Sequence, residues 1–135
     1  KVLRNKTILL AEDNELNAEI AMTILQDAHA RVEVASDGAI ALSMLKEAPA
    51  GYYDVILMDI QMPHMNGYQA SEAIRKLLDD RARTPIIAMT ANAFEEDHKA
   101  ALEAGMDAYV AKPIEIDTPF STITQVLNKD SLDLK

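Results

Sequence analysis

Several residue types that carry common chemistry are missing or scarce in this sequence. There is no cysteine, which excludes a disulfide scaffold, a cysteine-ligated zinc site and a thiol nucleophile. No apolar run approaches the roughly 20 residues that a membrane-spanning helix needs. No secretory signal is visible, because the apolar run after Lys6 ends at Glu12. The four glycines, at 38, 51, 67 and 105, form no loop that would cradle a nucleotide phosphate.

Basic residues are also in the minority. Thirteen Lys and Arg oppose 22 Asp and Glu, and the net charge of −9 argues against direct nucleic-acid binding. A length of 135 residues, 49% of them hydrophobic, corresponds to about one domain with one buried core. We therefore expect a single domain over residues 1–135 that ends in a polar tail at 129–135. Because the chain starts with Lys1 rather than methionine, we expect it to be a piece of a longer protein.

Short apolar runs alternate along the chain with stretches of helical periodicity. The five runs cover residues 7–11, 31–35, 54–58, 85–89 and 108–111. Between the first two runs, apolar residues recur every four positions at Leu16, Ile20 and Ile24, which is typical of a helix. Strict alternation of strand and helix is typical of βαβ units around a parallel sheet. The sequence therefore predicts an α/β fold with five parallel strands.

The character of each run predicts its place in the sheet. Residues 8–11, 55–58 and 86–89 are continuously apolar, as expected of strands that are covered on both faces. Val32–Val34 alternates apolar and charged residues, so we place the second strand at a sheet edge. A last helix is predicted at about 119–128. Side chains suited to cap the N-termini of the other helices are Asn14, Ser36, Asn66 and Asn92.

Polar residues that leave the strands are the candidates for a functional site, because open parallel sheets bind ligands at the carboxyl ends of their strands. Glu12 and Asp13 follow the first run, and Asp59 follows the third. Thr90 and Lys112 follow the fourth and fifth runs. Taken singly, the acidic pair could cap a helix, the threonine could merely end a strand, and the lysine could be solvated. Their coincidence at the ends of four strands favours one shared site.

The negative charges of three neighbouring carboxylates repel one another and must be neutralised. Two unit charges about 4 Å apart repel by roughly 4 kcal/mol at an effective dielectric constant of 20. Either one carboxylate is protonated or a cation neutralises the cluster. A hard divalent ion such as Mg²⁺ suits carboxylates, a backbone carbonyl and water, and it keeps positions open for phosphate oxygens. The sequence therefore predicts a site for Mg²⁺ at this edge of the sheet.

Four stretches with these residues resemble the receiver domain of two-component response regulators. They are Leu10–Asn14 (LAEDN), Val55–Pro63 (VILMDIQMP) with Asn66–Gly67, Pro85–Ala91 (PIIAMTA) and Ala104–Pro113 (AGMDAYVAKP). The resemblance covers about residues 6–128, with every motif in order, which makes it far more specific than one short motif. It implies a doubly wound, flavodoxin-like (βα)₅ fold whose strand order is 2-1-3-4-5.

The resemblance also implies a role for each candidate residue. Asp59 is the expected phosphoacceptor, whose carboxylate attacks a phosphohistidine. The expected Mg²⁺ ligands are Glu12, Asp13, Asp59 and the backbone carbonyl of Gln61. The expected phosphoryl-binding groups are Lys112 and Thr90, and the expected conformational switch is Thr90 with Tyr109. Mn²⁺ is the alternative cation, and the domain is expected to catalyse its own phosphotransfer and dephosphorylation.

In their details these motifs resemble those of receivers that are fused to hybrid sensor histidine kinases. A receiver cut from a transcriptional regulator would have similar motifs. The implied phosphodonor is a histidine kinase domain, and the implied onward acceptor is a histidine phosphotransfer domain. We expect a cytoplasmic domain with no membrane segment of its own, whether or not the parent protein is anchored in a membrane. His29 departs from the pattern, because many receivers have a left-handed glycine where this helix ends.

Two other functions compete with this interpretation. A phosphohydrolase of the haloacid dehalogenase type also uses a strand-end aspartate and Mg²⁺, but it has a second aspartate where this sequence has Gln61. Its cap domain would not fit into 135 residues either. A receiver-like interaction module that signals without phosphorylation is the remaining alternative, and the presence of all five site residues disfavours it.

Overall fold

The computed structural model describes residues 6–27, 29–49, 51–60, 65–77, 79–90, 99–100 and 102–111, with backbone only for residues 80, 90 and 109–111. Strands and helices alternate along these residues, as the sequence predicts. The strands are β1 (Thr7–Ala11), β2 (Arg31–Ala35), β3 (Val55–Asp59), β4 (Ile86–Thr90) and β5 (Ala108–Ala111). The helices are α1 (Glu15–Asp27), α2 (Gly38–Glu47), α3 (Gly67–Arg75) and a 3₁₀-helix at Asp80–Arg83. Residues 99–100 and 102–103 are also helical.

All five strands form one parallel sheet of order β2-β1-β3-β4-β5, so the predicted fold and the edge position of β2 are confirmed. Strands β3 and β4 begin and end one residue later than the sequence predicted. The backbone amide of Asp54 donates to the carbonyl of Thr7, but its carboxylate turns back to accept from the Thr7 amide at 2.8 Å. Pro85 has no amide hydrogen to donate to a neighbouring strand. Both residues therefore stand just before their strands.

The sheet separates two apolar layers, which explains why the central strands are continuously apolar. Every residue of β1 and of β3 is buried, as expected for strands covered on both faces. One layer packs α1 against the sheet through Leu25, and the other packs α2 and α3 through Leu45 and Ile74. The strand ends are thereby held in a fixed frame.

Helix α1 buries a different face from the one that its large apolar residues suggested. Its buried residues are Ala18, Ala21 and Leu25, whereas Leu16 is 65% exposed and Ile20 is 43% exposed. The small alanine side chains allow the helix to lie close to the sheet. The periodicity that predicted the helix was therefore correct, but two of the large apolar side chains that carried it, Leu16 and Ile20, face the solvent.

Two of the four proposed capping residues, Asn14 and Asn66, do start helices. Asn14 accepts from the Asn17 amide at 3.0 Å, and Asn66 forms a reciprocal capping box with Gln69. The prediction for Ser36 is wrong, because Asp37 caps α2 by accepting from the amide of Ile40 at 2.8 Å. The cap at Asn92 and the helix at 119–128 lie outside the described residues.

Two further details of the described chain bear on the sequence predictions. His29 has a φ of 71°, so the histidine does adopt the left-handed conformation in which many receivers have glycine. Among the described residues, no helix combines the length and apolar character needed to cross a membrane.

Candidate functional site

The carboxyl ends of β1 and β3 bring three acidic residues together. These strands are neighbours, with Ala11 level with Met58, so the residues that follow each strand share one edge. Glu12 and Asp13 follow β1, and Asp59 is the last residue of β3. One carboxylate oxygen from each of the three lies within 4.8 Å of the others. The convergence predicted from the strand ends is therefore present.

The backbone on both sides of this cluster is fixed by the sheet. The amide of Glu12 donates to the carbonyl of Ala35 at 2.9 Å, which ties the end of β1 to β2. The amide of Ile60 donates to the carbonyl of Met89 at 3.1 Å, which ties the end of β3 to β4. These bonds extend the strand pairing past the strand ends. They hold the carboxylates on rigid backbone rather than on a loose loop.

The three carboxylates differ in burial. Glu12 and Asp59 are each only 3% exposed, whereas Asp13 is exposed. At 4.8 Å two such charges repel by about 3 kcal/mol even at an effective dielectric constant of 20. Burial of two of them makes neutralisation by a cation more favourable, and the exposed third carboxylate gives the cation a path from solvent.

The chemistry of the donor set decides which cation fits. All three groups of the cluster offer oxygen, and neither histidine nor cysteine joins them among the described residues. Hard oxygen ligands of this kind suit Mg²⁺, whereas zinc sites are typically built from thiolate and imidazole. The cluster therefore fits a hard divalent cation.

Glu12 and Asp13 do not cap helix α1, which was the alternative explanation for this acidic pair. The side chain that accepts from the first turn of α1 belongs to Asn14, one residue beyond Asp13. Glu12 and Asp13 are consequently not required to start the helix. Their convergence with Asp59 therefore accounts for the positions of Glu12 and Asp13 better than helix capping does.

The other predicted site residues are only partly described. Thr90 ends β4, the strand beside β3, and is level with Ala111 of β5. Its backbone therefore lies at the same edge of the sheet as Asp59. Tyr109 lies within β5, level with Ala88. The side chains of Thr90 and Tyr109 lie outside the described part of the structure, as do Gln61 and Lys112.

A close backbone contact beside Asp59 was not recognised from the sequence. A Cβ atom at Gly67 would stand 2.5 Å from the carbonyl oxygen of Asp59, and one at Gly38 would stand 2.4 Å from that of Met65. Gly38 opens a helix of otherwise good helix formers, where glycine is unfavourable. That mismatch was the available signal that the position needs space rather than a side chain.

Comparisons with known proteins agree with this geometry. Residues 8–124 match the sequence model of the family described as response regulator receiver domain. A hybrid signal transduction histidine kinase of Dictyostelium discoideum is 40% identical over 126 residues, which cover 91% of this chain. The chain spans only 5% of the length of that kinase.

Solved structures show the same fold. The receiver domain of a sensor histidine kinase from Pseudomonas aeruginosa, solved with a magnesium ion in its active site cleft, is 35% identical, with a TM-score of 0.82. The match covers 91% of this chain and 98% of that one. The receiver domain of the Saccharomyces cerevisiae response regulator Ssk1, solved with the phosphotransfer protein Ypd1, is 27% identical, with a TM-score of 0.85. That match covers 96% of this chain and 94% of that one. The chain therefore belongs to the response regulator receiver domain family and is a receiver of two-component phosphorelay signalling.

Proposed function

We propose that Asp59 is the phosphoacceptor of this receiver domain and that the reaction depends on Mg²⁺. The observation that carries the proposal is the convergence of Glu12, Asp13 and Asp59, with one oxygen of each within 4.8 Å of the others. The same three carboxylates, together with the backbone carbonyl of Gln61, would hold the cation. Mn²⁺ has similar oxygen chemistry and would replace it.

The described residues contribute position and charge to the transfer. The cation, when bound, neutralises the phosphoryl oxygens and the carboxylates that surround them. An oxygen of Asp59 attacks phosphorus, and the new O–P bond forms as the N–P bond of a phosphohistidine breaks. The electron pair of the broken bond returns to the imidazole nitrogen, which takes a proton from solvent. Lys112 would pair with the phosphoryl oxygens and neutralise their charge. Asp59 then needs only to be held in line with the phosphorus atom and the leaving nitrogen.

The proposed switch involves the two strands farthest along the sheet. Thr90 ends β4 beside the strand that carries Asp59, and Tyr109 lies in the neighbouring strand β5. A Thr90 hydroxyl that bonds the phosphoryl group would leave space that the Tyr109 ring enters. Such a switch requires a different interaction in each of its two states. The phosphoryl group supplies that difference.

We assign the domain to a hybrid histidine kinase, with a kinase phosphohistidine as donor and a histidine phosphotransfer domain as acceptor. Support comes from the kinase relatives and from the yeast receiver that was solved with such a phosphotransfer protein. A suitable contact surface lies beside the acidic cluster, where the exposed Leu16 and Ile20 are one helical turn apart on α1. The whole chain would form one cytoplasmic receiver domain with a core at about 6–128.

Intact mass spectrometry after incubation with acetyl phosphate tests the proposal directly. We expect one phosphoryl adduct that requires Mg²⁺, disappears in Asp59→Asn and persists in Asp27→Asn, a matched change at an exposed position of α1. An adduct that survives in Asp59→Asn would show that another residue is the nucleophile. A folded wild-type protein that takes no phosphoryl group from acetyl phosphate or from a phosphorylated kinase would refute the proposal. It would favour the interaction module without phosphorylation, which the comparisons do not support.

A further inference from the structure

Residues 65–67 form a short bridge between the start of α2 and the end of β3. The amide of Gly38 donates to the carbonyl of Met65 at 3.1 Å, and the amide of Gly67 donates to the carbonyl of Ile60 at 2.9 Å. The first amide of a helix has no partner inside the helix. The Met65 carbonyl supplies that partner for α2, so the bridge is tied at both of its ends.

Both of these amide donors belong to glycines that have no room for a side chain. A Cβ atom at Gly38 would lie 2.4 Å from the Met65 oxygen and 3.1 Å from the Cβ of Ala70. A Cβ atom at Gly67 would lie 2.5 Å from the Asp59 oxygen and 2.9 Å from the Cα of Ile60. Real side chains essentially never make Cβ contacts shorter than 3.0 Å. Residues 65–67 are therefore in close contact with the start of α2 on one side and with the backbone of Asp59 on the other.

Backbone conformation does not account for these glycines. The glycines with left-handed φ values are Gly51 and Gly105, so alanine could adopt the backbone found at positions 38 and 67. Glycine also weakens a helix relative to alanine, which makes its presence in the first turns of α2 and α3 unfavourable by itself. Space for a close backbone approach is the remaining reason for glycine at these positions.

We propose that Gly38 is a positioning residue for the phosphoacceptor. Because it lacks a side chain, the start of α2 receives the Met65 carbonyl and keeps residues 65–67 pressed against the backbone of Asp59. A methyl group there would push the Met65 carbonyl outward and displace Gly67 with it. This inference rests on the proposed role of Asp59, since it assigns to a residue outside the acidic cluster the task of holding that carboxylate in place.

The test compares Gly38→Ala with Gly51→Ala. Gly51 has a φ of 83° and nothing within 4 Å of an added Cβ, so alanine there strains the backbone without crowding a neighbour. We expect Gly38→Ala to remain folded by circular dichroism and to shift the amide resonances of Ile60, Met65 and Gly67 in a ¹⁵N spectrum. We expect its Mg²⁺ affinity to fall roughly tenfold, as for other residues that orient metal ligands. Gly51→Ala should change neither property.

Three results would overturn the inference. They are wild-type resonances at these amides in Gly38→Ala, displaced resonances with unchanged Mg²⁺ affinity, and an equal loss of affinity in Gly51→Ala. If Gly38→Ala does not fold, Asn66→Ala replaces it, because it removes the capping box within the bridge without adding an atom. Displaced Ile60 and Gly67 resonances with unchanged Mg²⁺ affinity in Asn66→Ala would overturn the inference, and a loss of affinity with displaced resonances would support it.

The amide resonances and the phosphorylation assay answer separate questions. If the wild-type protein takes no phosphoryl group at Asp59, the proposed function fails. The position of the Ile60 and Gly67 amides still shows whether Gly38 fixes the backbone next to Asp59. A displaced backbone in a protein that is not phosphorylated would support the packing and refute only the chemistry.

Discussion

The guanidinium group of Arg75 and the carboxylate of Asp107 meet across 32 positions of sequence, with Nη2 lying 2.9 Å from Oδ2. The same carboxylate oxygen accepts from the amide of Ile86 at 2.9 Å. The other nitrogens of Arg75 donate to the backbone carbonyls of Gly105, Ala82 and Thr84. One side chain at the end of α3 thus joins the beginnings of β4 and β5.

Replacing Arg75 with lysine should destabilise the protein by about 2 kcal/mol, because one ammonium group cannot reach all four acceptors of the guanidinium fork. The charge pair with Asp107 is partly exposed and adds little, so most of the loss comes from the backbone carbonyls. Urea unfolding measures the change. Arg83→Lys, at an exposed position nearby, should stay within about 0.5 kcal/mol of wild type. Equal losses in both variants would contradict this account.

Two adjacent residues at the start of α2, Ser36 and Asp37, should differ in their contribution to stability. Asp37→Ala should cost about 1 kcal/mol of unfolding free energy, because it removes the side chain that accepts from the Ile40 amide. Ser36→Ala should be close to neutral, since the structure assigns the cap to its neighbour. Urea unfolding of both variants under one set of conditions provides the check. A larger loss in Ser36→Ala would reverse the assignment.

The sequence was a good guide to the fold and to the acidic cluster for one physical reason. Strands that are covered on both faces must be continuously apolar, so Val55–Met58 marks a central strand without further information. The residues that leave such strands must lie at one edge of the sheet. Glu12, Asp13 and Asp59 could therefore be placed together before any coordinates were known.

Features decided by contacts between distant residues were beyond the reach of the sequence. Ser36 and Asp37 are both good caps, and which of them caps α2 depends on how the chain leaves β2. The exposure of Leu16 follows from alanines that let α1 lie close to the sheet, which a hydrophobic period does not reveal. The contact of Gly38 with the Met65 carbonyl depends on a segment 27 positions farther along the chain.

Two tyrosines share one carboxylate at the edge of the sheet and make stability sensitive to alkaline pH. The hydroxyl of Tyr53 donates to Oε1 of Glu33 at 2.7 Å, and the hydroxyl of Tyr52 donates to the other oxygen. Burial, and then the bond and charge of Glu33, raise the pKa of Tyr53. The hydrogen bond to Glu33 is the main cause of the raised pKa of Tyr52.

The sign of the pH effect follows from these raised pKa values. Below about pH 10 both the folded and the unfolded chain keep the tyrosine protons, so the stabilisation is complete. Above it the unfolded chain loses protons that the folded chain retains, and the free energy of unfolding decreases. Tyr53→Phe should be less stable by about 1 kcal/mol near neutral pH, where it lacks one hydrogen bond. It should lose less stability than wild type above pH 10. Unfolding curves that fall in parallel with pH would contradict this.

Cation binding should appear as stability before any phosphorylation is measured. Mg²⁺ at a hundredfold excess over its dissociation constant should raise the free energy of unfolding by about 2.7 kcal/mol, because it binds only the folded cluster. At the same concentration Asp13→Asn should gain less, since it lacks one ligand oxygen of the cluster. Asp27→Asn changes an exposed carboxylate at the end of α1 that is not part of the cluster. Mg²⁺ should stabilise this variant as much as wild type. Thermal unfolding with and without EDTA gives the comparison, and an equal gain in all three proteins would place the cation elsewhere.

The exposed pair on α1 predicts that protein donors and small donors respond differently to mutation. Leu16 and Ile20 lie on the solvent face of α1, which begins just after the acidic cluster. Replacing both with glutamate should slow phosphotransfer from a phosphorylated kinase or phosphotransfer domain roughly tenfold, since tenfold corresponds to about 1.4 kcal/mol, a loss that apolar anchors at the centre of an interface reach. Phosphorylation by acetyl phosphate should be unchanged, because that donor needs only the cluster.

The matched control for this surface is Leu102→Glu, which changes a side chain of similar exposure, 52%, near the beginning of β5. It should leave both reactions unaffected. An equal loss with acetyl phosphate in the α1 variant would mean that the substitutions disturb Glu12 and Asp13 rather than a docking surface. An equal loss of kinase-dependent transfer in Leu102→Glu would place the donor contact at the opposite end of the sheet. Selective loss of protein-donor transfer in the α1 variant alone would identify α1 as the surface that orients the incoming phosphohistidine toward Asp59.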